Sequence, residues 1–370
     1  MEKILEFFGE PLSYGGQESF IFNSINKMDL SDLKIDVATP YYSDNSLHER
    51  IIEKNGGDFF CFGLQFNPGG NRFNIVKRLN ELLLKKNYDV IHINSGSISV
   101  LAFASLVANK NHIKKIILHS HTAHKHENIK HYLLKMIFMP IFYLCGTDYL
   151  SPSLDAAYWQ FSKKIASSKI KIVNNGIDLD IFKFNKSIRL RMRANLGVDN
   201  ETIVIGNVGR ISYQKNQEFL IRVLKKMKTK KINCKLLLVG NGDYKKKLDL
   251  IIKKFGLNKD VIFTGNVNNV NDYMQAMDVF AFPSRHEGLG IVGIEAQGTG
   301  LPVVASKNVP KEMKVTKDVY FLKIMSNEEE WADKIIKLSN APRSSKTDDL
   351  INKGYDIKHT SEILKKIYQS

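Results

Sequence analysis

Two glutamates, Glu287 and Glu295, stand with seven residues between them in the stretch 278–306, DVFAFPSRHEGLGIVGIEAQGTGLPVVAS. The same stretch holds five glycines, Gly288, Gly290, Gly293, Gly298 and Gly300. A carboxylate is a poor phosphate ligand but a good acceptor for sugar hydroxyls. Backbone N–H groups stripped of side chains at a helix start do the opposite work and bind anions. This pattern predicts a nucleotide sugar, its hydroxyls on Glu287 and Glu295 and its pyrophosphate on the backbone between them, where Gly288, Leu289, Gly290 and Ile291 lie.

The elements that position this chemistry follow from the flanking residues. An apolar run at 278–282, stopped by Pro283, reads as a buried strand, and 301–305 reads as another. Between them Ile291, Ile294, Glu295 and Ala296 keep helical spacing, although each interior glycine costs a helix about 1 kcal/mol against alanine. Strand, Gly-rich turn, helix and strand make a βαβ unit. Ligands of open α/β sheets collect at the carboxyl ends of strands, so residues just after strands are the candidates elsewhere. Arg210 and Lys215 follow the strand 203–208, and a guanidinium plus an ammonium neutralise a departing diphosphate without a metal. LLLVGNGDY puts Gly240 and Gly242 after a further strand, and FTGNV puts Gly265 and Asn266 after another.

In the first half, Gly15 and Gly16 form a turn between a first strand and a helix beginning near Glu18. The run HSHTAHKH offers His119, His121, His124 and His126; two of these on one strand face would suit zinc only with a third ligand, or they form a solvated cluster. Residues 127–146 carry Lys130, His131 and Lys135 before MIFMPIFYLC. That basic, apolar segment is too short to span a bilayer and reads either as an interfacial helix or as a core helix kinked at Pro140.

The 370 residues, 43% hydrophobic and 25% charged, describe a globular chain of two ordinary domains. Cys61, Cys145 and Cys234 are far apart with no CxxC, which excludes a disulfide framework or zinc ribbon and suits a reducing cytoplasm. The opening residues read as a first strand rather than a secretory leader, and no apolar run reaches the length of a membrane span. A net charge of +16 reads as lysine-rich exposed helices, of the kind AT-rich genomes produce, or as attraction to anionic lipid. A nucleic-acid partner is not expected, because no basic stripe is interleaved with stacking aromatics.

Strands are expected at 4–8, 35–39, 59–62, 90–94, 116–121, 149–151 and 171–173, then at 203–208, 236–239, 261–264, 279–282, 303–305 and 319–322, with amphipathic helices such as 73–86 and 97–107 between them. Alternation of this kind predicts an α/β protein of two Rossmann-like, doubly wound domains, 1–180 and 181–350, hinged within 174–186, with 351–370 a terminal helix. Gly288 to Gly293 also satisfies GxGxxG, but it comes late in its domain and the following strand ends in Ser306 and Lys307 rather than an acid, which excludes a nicotinamide enzyme.

The glutamate pair in its setting, together with GRISYQKN (209–216), resembles the retaining glycosyltransferases of family 4, above all the bacterial enzymes that build capsular and exopolysaccharides. The resemblance implies the GT-B fold, two Rossmann-like domains facing a central cleft, with the last helix returning to the first domain. It implies that Arg210 and Lys215 bind the donor pyrophosphate, that Glu295 accepts from the ribose and Glu287 from the donor sugar, and that Gly240, Gly265 and Asn266 lie near the nucleotide. YGGQESF matches the family's glycine loop at Gly15 and Gly16, and His121 matches the histidine that touches the donor sugar. Asp178 and Asp180 match a structural pattern of the family rather than a metal site. Arg285 and His286 before Glu287, and Gly290 and Ile291 after it, depart from what many relatives carry and leave the sugar open. The implied activity moves a hexose or N-acetylhexosamine from a nucleotide-diphosphate sugar, a UDP-sugar by preference, to a polyprenyl-diphosphate-linked saccharide at the inner face of the cell membrane, with no metal and no cofactor. A non-catalytic scaffold on this fold, or a nucleotide-sugar epimerase, is the competing expectation.

Overall fold

The computed structural model describes residues 1–13, 15–67, 70, 72–121, 129–324 and 328–370. The chain divides into two compact units, one of Met1–Ile177 with Gly354–Ser370 and one of Asp178–Lys353. The division thus falls three residues before position 180, and the return to the first unit begins at Gly354 rather than at 351.

The first unit holds seven strands, β1 (Glu2–Phe8), β2 (Leu33–Thr39), β3 (Phe59–Cys61), β4 (Val90–Asn94), β5 (Lys115–His119), β6 (Asp148–Ser151) and β7 (Ile170–Ile172), in the order β3-β2-β1-β4-β5-β6-β7. Every pairing is parallel. Parallel strands buried on both faces need apolar residues at odd and even positions alike. Leu5, Phe7, Ile91, Ile93 and Leu118 pack on one side, against the helices Arg72–Lys85 and Ile98–Lys110. Ile4, Phe8, Val90, Ile117 and Leu150 pack on the other, with Phe20, Ile21 and Ile25 of the helix Gly16–Lys27 and Leu364, Ile367 and Tyr368 of the last helix, Ile357–Gln369. β5 ends at His119, two residues earlier than expected, so His121 lies in the following loop.

The second unit holds β8 (Ile203–Val208), β9 (Cys234–Val239), β10 (Val261–Phe263), β11 (Val279–Phe282), β12 (Val303–Ser306) and β13 (Val319–Leu322), all parallel, in the order β10-β9-β8-β11-β12-β13. Its core sets Leu236, Leu238, Val279 and Ala281 with Phe219 and Leu220 of the helix Gln217–Thr229 and with Trp331, which is fully buried. Asp278 pins the start of β11: it takes Arg189 at 2.5 Å and Arg193 at 3.1 Å, and accepts the Val204 N–H at 2.7 Å. In both units β1 or β8 sits centrally with chain running outward on both sides, which leaves the loops after these strands at the switch in winding where ligands bind.

Candidate functional site

In the second unit the helix Ile291–Gly298 forms in spite of its glycines because tertiary contacts hold it. Buried Gln297 donates to the carbonyls of Gly293 (2.9 Å) and Met313 (2.8 Å) and accepts from Val315 (3.0 Å) and Thr316 (2.8 Å). Gly290 caps its start at φ 78° with no side-chain acceptor; its carbonyl takes the Gly293 N–H at 2.8 Å, and the N–H groups of Ile291 and Val292 keep no side-chain cap. A Cβ at Gly290 would stand 2.9 Å from the Phe282 ring as well as in a left-handed conformation, so only glycine lets this turn close over β11.

Lys215 reaches into this turn from the loop after β8. Its Nζ lies 2.8 Å from Glu287 Oε1 and 5.2 Å from the centre of the Phe282 ring. Distance makes this an ion pair, while its angles are not those of a hydrogen bond, so the Glu287 oxygen keeps its lone pairs uncommitted. Glu295 feels the same ammonium but makes no hydrogen bond. Part of its surface meets solvent, yet its carboxyl group is enclosed by protein, and that desolvation pushes its pKa up to about 7 against the pull of Lys215.

The glutamates so far apart from Lys215 in sequence therefore share one cation. Glu295 accepts no hydrogen bond among the described residues, a costly state that a ligand hydroxyl would relieve. A raised carboxyl pKa lowers stability as pH rises from the unfolded value near 4.5 through about 7, and the loss is complete above that. Glu295→Gln is therefore expected to raise the melting temperature at pH 8, by about 1–2 kcal/mol of stability, and much less at pH 5. An equal gain at both values would show that the carboxylate is not strained in the free protein.

Arg210 is exposed, and its guanidinium has no partner among the described residues. Its carbonyl is anchored by buried Gln217, whose Nε2 lies 3.1 Å away. Gly240 and Gly265, after β9 and β10, are joined by a 2.9 Å backbone hydrogen bond. At Gly240 (φ 129°) a Cβ would stand 2.3 Å from the Gly209 carbonyl oxygen, so the loops carrying Arg210 and Gly240 touch through bare backbone. Asn266 is exposed beside them. The helix after β8 opens at Gln217, two residues beyond Lys215, after Asn216 in a left-handed turn (φ 57°). Arg285 stacks on Tyr213 at 4.1 Å and donates to Asn216 Oδ1 at 3.0 Å, clamping the two loops together.

In the first unit Gly16 is already helical and Gly15 is the extended cap, so the turn is one residue shorter than expected. Gln17 Nε2 donates to the Asn94 carbonyl (3.2 Å), while His121 Nε2 meets Asn94 Oδ1 (2.8 Å), which gathers the glycine loop and His121 on the end of β4. Burial pushes the His121 pKa down to about 3, so the ring is neutral. Residues 122–128, including His124 and His126, lie outside the described residues. Among the described residues no three His, Cys, Asp or Glu side chains form a metal cluster. Asp178 accepts the Asp180 N–H at 3.1 Å within its own turn.

One residue escaped the sequence reading. Glu10, in the loop after β1, accepts from Ser95 Oγ (2.8 Å) and the Gly96 N–H (3.1 Å), and burial still pushes its pKa up to about 7. Its Oε2 has no hydrogen-bond partner among the described residues. Its position two residues past a strand's carboxyl end was the available signal.

Residues 14–181 match the model of the family described as Glycosyltransferase Family 4, and residues 189–356 match that described as Glycosyl transferases group 1. The capsular polysaccharide biosynthesis glycosyltransferase CapH of Staphylococcus aureus is 31% identical over 312 residues, 81% of this chain and 82% of that protein. The putative glycosyltransferase EpsF of Bacillus subtilis is 26% identical over 367 residues, 96% of this chain and 94% of that one. In fold, the crystal structure of HepE from Anabaena in complex with UDP and glucose superposes with a TM-score of 0.80 at 20% identity over 100% of both chains. Two parallel Rossmann-like sheets, a match along each half and a relative shared across most of both lengths make this chain a member of the family 4, group 1 glycosyltransferases, with the GT-B fold.

Proposed function

We propose that the protein is a retaining, metal-independent hexosyl- or N-acetylhexosaminyltransferase, which takes its sugar from a UDP-sugar and adds it to a lipid-linked saccharide during surface polysaccharide assembly. The observation that supports this best is the Lys215 ammonium set beside Glu287 and Glu295 at an uncapped helix start. An ammonium and free N–H groups suit a diphosphate, and flanking carboxylates suit the hydroxyls on either side of it. In this reading Glu295 accepts from the ribose, Glu287 from the donor sugar, and Gly240, Gly265 and Asn266 line the nucleotide. The name of CapH supports the polysaccharide setting, and the ligands in the HepE crystals support UDP.

Transfer with retention breaks the bond between the sugar C1 and the departing phosphate oxygen while the acceptor oxygen bonds to C1 on the same face. The acceptor proton passes to the departing phosphate oxygen. No enzyme nucleophile is needed; Arg210, Lys215 and the helix N-terminus hold the charge that accumulates on the nucleoside diphosphate.

The test is calorimetric titration with UDP, GDP and ADP in EDTA, on the wild type and on Glu295→Ala. Binding of one nucleotide without metal, weakened by the substitution, supports the reading and names the base. If none binds, or if binding needs a divalent cation, the reading falls and a scaffold role takes its place; donor turnover without an acceptor would point to an epimerase.

A lipid-linked acceptor requires contact with a membrane surface. No helix among the described residues is long and apolar enough to cross one. The helix Ile129–Cys145 runs unbroken through Pro140 and exposes Ile129 (81%), Leu133, Met136, Ile137 (65%) and Leu144 (72%) along one stripe. With a net charge of +16, this stripe fits the surface of an anionic bilayer. Sedimentation with vesicles containing phosphatidylglycerol should show salt-sensitive binding that Ile137→Glu weakens about tenfold. Unchanged binding in that variant would remove the helix from the membrane face.

A further inference from the structure

A buried polar chain lies on the face of the first sheet that packs against the helices Gly16–Lys27 and Ile357–Gln369, and both of its arms begin at one carboxylate. Glu6 of β1, His92 and Asn94 of β4 and His119 of β5 are fully inaccessible to solvent. Parallel register sets Glu6 beside His92 and Asn94 beside His119. Glu6 Oε1 accepts from Tyr368 of the last helix at 2.5 Å and from His92 Nδ1 at 3.0 Å; its Oε2 accepts from Asn94 Nδ2 at 2.8 Å. His92 Nε2 meets His119 Nδ1 at 2.9 Å, and Asn94 Oδ1 meets His121 Nε2 at 2.8 Å. The His119 and His121 rings stack with centres 4.0 Å apart.

Donor and acceptor counting then assigns every proton. A carboxylate only accepts, so His92 carries its proton on Nδ1 and leaves Nε2 as an acceptor. His119 must donate from Nδ1, which strips its Nε2. In the other arm Asn94 spends its NH2 group on Glu6 and turns its oxygen to His121, which must donate from Nε2 and keep Nδ1 bare. The structure agrees at both ends: His119 Nε2 and His121 Nδ1 are buried and have no hydrogen-bond partner among the described residues. A bare ring nitrogen is the cheaper of the two orphans, because a buried N–H without an acceptor is rare. Burial, with nearby imidazoles, also holds both rings uncharged.

We propose that Glu6 is a positioning residue, which fixes through His92 and Asn94 the tautomers of His119 and His121 and so holds the His121 ring neutral and in one orientation for contact with a sugar. The tautomer assignment stands on the geometry alone. Only its use in binding rests on the reading of His121 as a sugar contact. Tyr368 ties the last helix to the same carboxylate, and its hydroxyl oxygen also lies 3.0 Å from His92 Nδ1, beside Glu6 Oε1; because its own proton goes to Glu6, it can only add a second acceptor for the His92 N–H and does not alter the tautomer.

The experiment is a long-range nitrogen–proton NMR spectrum of the histidine-labelled full chain at pH 7, with assignments from single substitutions. His92 and His119 are expected protonated on Nδ1 alone and His121 on Nε2 alone. An imidazolium at His92, or the opposite tautomer at His119 or His121, overturns the proposal without need of any variant. Glu6→Gln must turn an NH2 group towards one arm and so reverse it; the expected result is a changed tautomer at His119 or His121. With it, KM for the donor identified by calorimetry should rise about tenfold while kcat changes less. Tyr368→Phe is expected to lower the melting temperature and leave the tautomers and KM unchanged. If Tyr368→Phe raises KM as Glu6→Gln does, the network is only structural and the proposal fails. If the tautomers are as stated but His121→Ala leaves KM unchanged, the relay survives and the sugar-contact reading of His121 falls.

Discussion

Arg210→Ala will leave the protein folded and remove its turnover. The guanidinium is exposed and bonds to no described residue, so its loss should change stability by less than about 0.5 kcal/mol. Its anchor is the backbone, held by Gln217 at 3.1 Å, and alanine keeps that bond. What disappears, on the proposed function, is a charge that offsets the one gathering on the departing diphosphate. Losing one such donor costs about 3 kcal/mol in the transition state, a hundredfold or more in kcat. Single-turnover transfer with a matched melting curve reads both halves, and near-normal turnover in a folded variant would remove Arg210 from the reaction.

Lys215→Ala has a larger expected effect, because this ammonium serves the ligand and the fold together. It stands 2.8 Å from Glu287, whose side chain is only 8% exposed, and it is the charge that restrains the pKa of Glu295. Without it Glu287 is left enclosed with no counter-charge, at a cost of about 2 kcal/mol for a pair that solvent partly reaches. The pKa of Glu295 should also climb above about 7, so the stability deficit should be greater at pH 8 than at pH 5. Turnover should fall by about a hundred- to a thousandfold, with nucleotide affinity lost as well. Transfer rates within about tenfold of wild type would end the assignment of Lys215 to the donor phosphates.

Both effects concern residues visible before any coordinates, and the reason is topological. A strand announces itself by an apolar run such as VFAF, and the fold places function at the carboxyl ends of such runs, so Arg210, Gly240, Gly265 and Glu287 stood where the rule looks. Contacts across long stretches of chain were not legible. Nothing local reveals that Arg285 turns towards Tyr213, 72 residues earlier, or that Gln297 staples a helix that its glycines would otherwise unravel. Glu10 looks like any loop carboxylate until Ser95 and Gly96 are seen to enclose it. Glu6 carried a stronger sign, a glutamate in the middle of the buried run of a parallel strand, but its meaning depends on partners from β4 and from the last helix. His121 came into view through family likeness, and the end of β5 at His119 shows why strand periodicity alone would have misplaced it.

The last helix has a consequence for how the chain is made. The second unit is continuous, Asp178–Lys353, so a ribosome delivers it whole and it can fold as it emerges. The first unit is interrupted: its core includes Leu364, Ile367 and Tyr368, and Ile357 closes a backbone bridge onto Ile177 at 3.1 Å. At about 5–20 residues per second, the first part waits on the order of ten seconds or more for its closing piece. During that wait the sheet face around Glu6 is covered by the helix Gly16–Lys27 alone, so the domain begun first is completed last, and a nascent chain stalled before Ile357 should engage chaperones through the part left open.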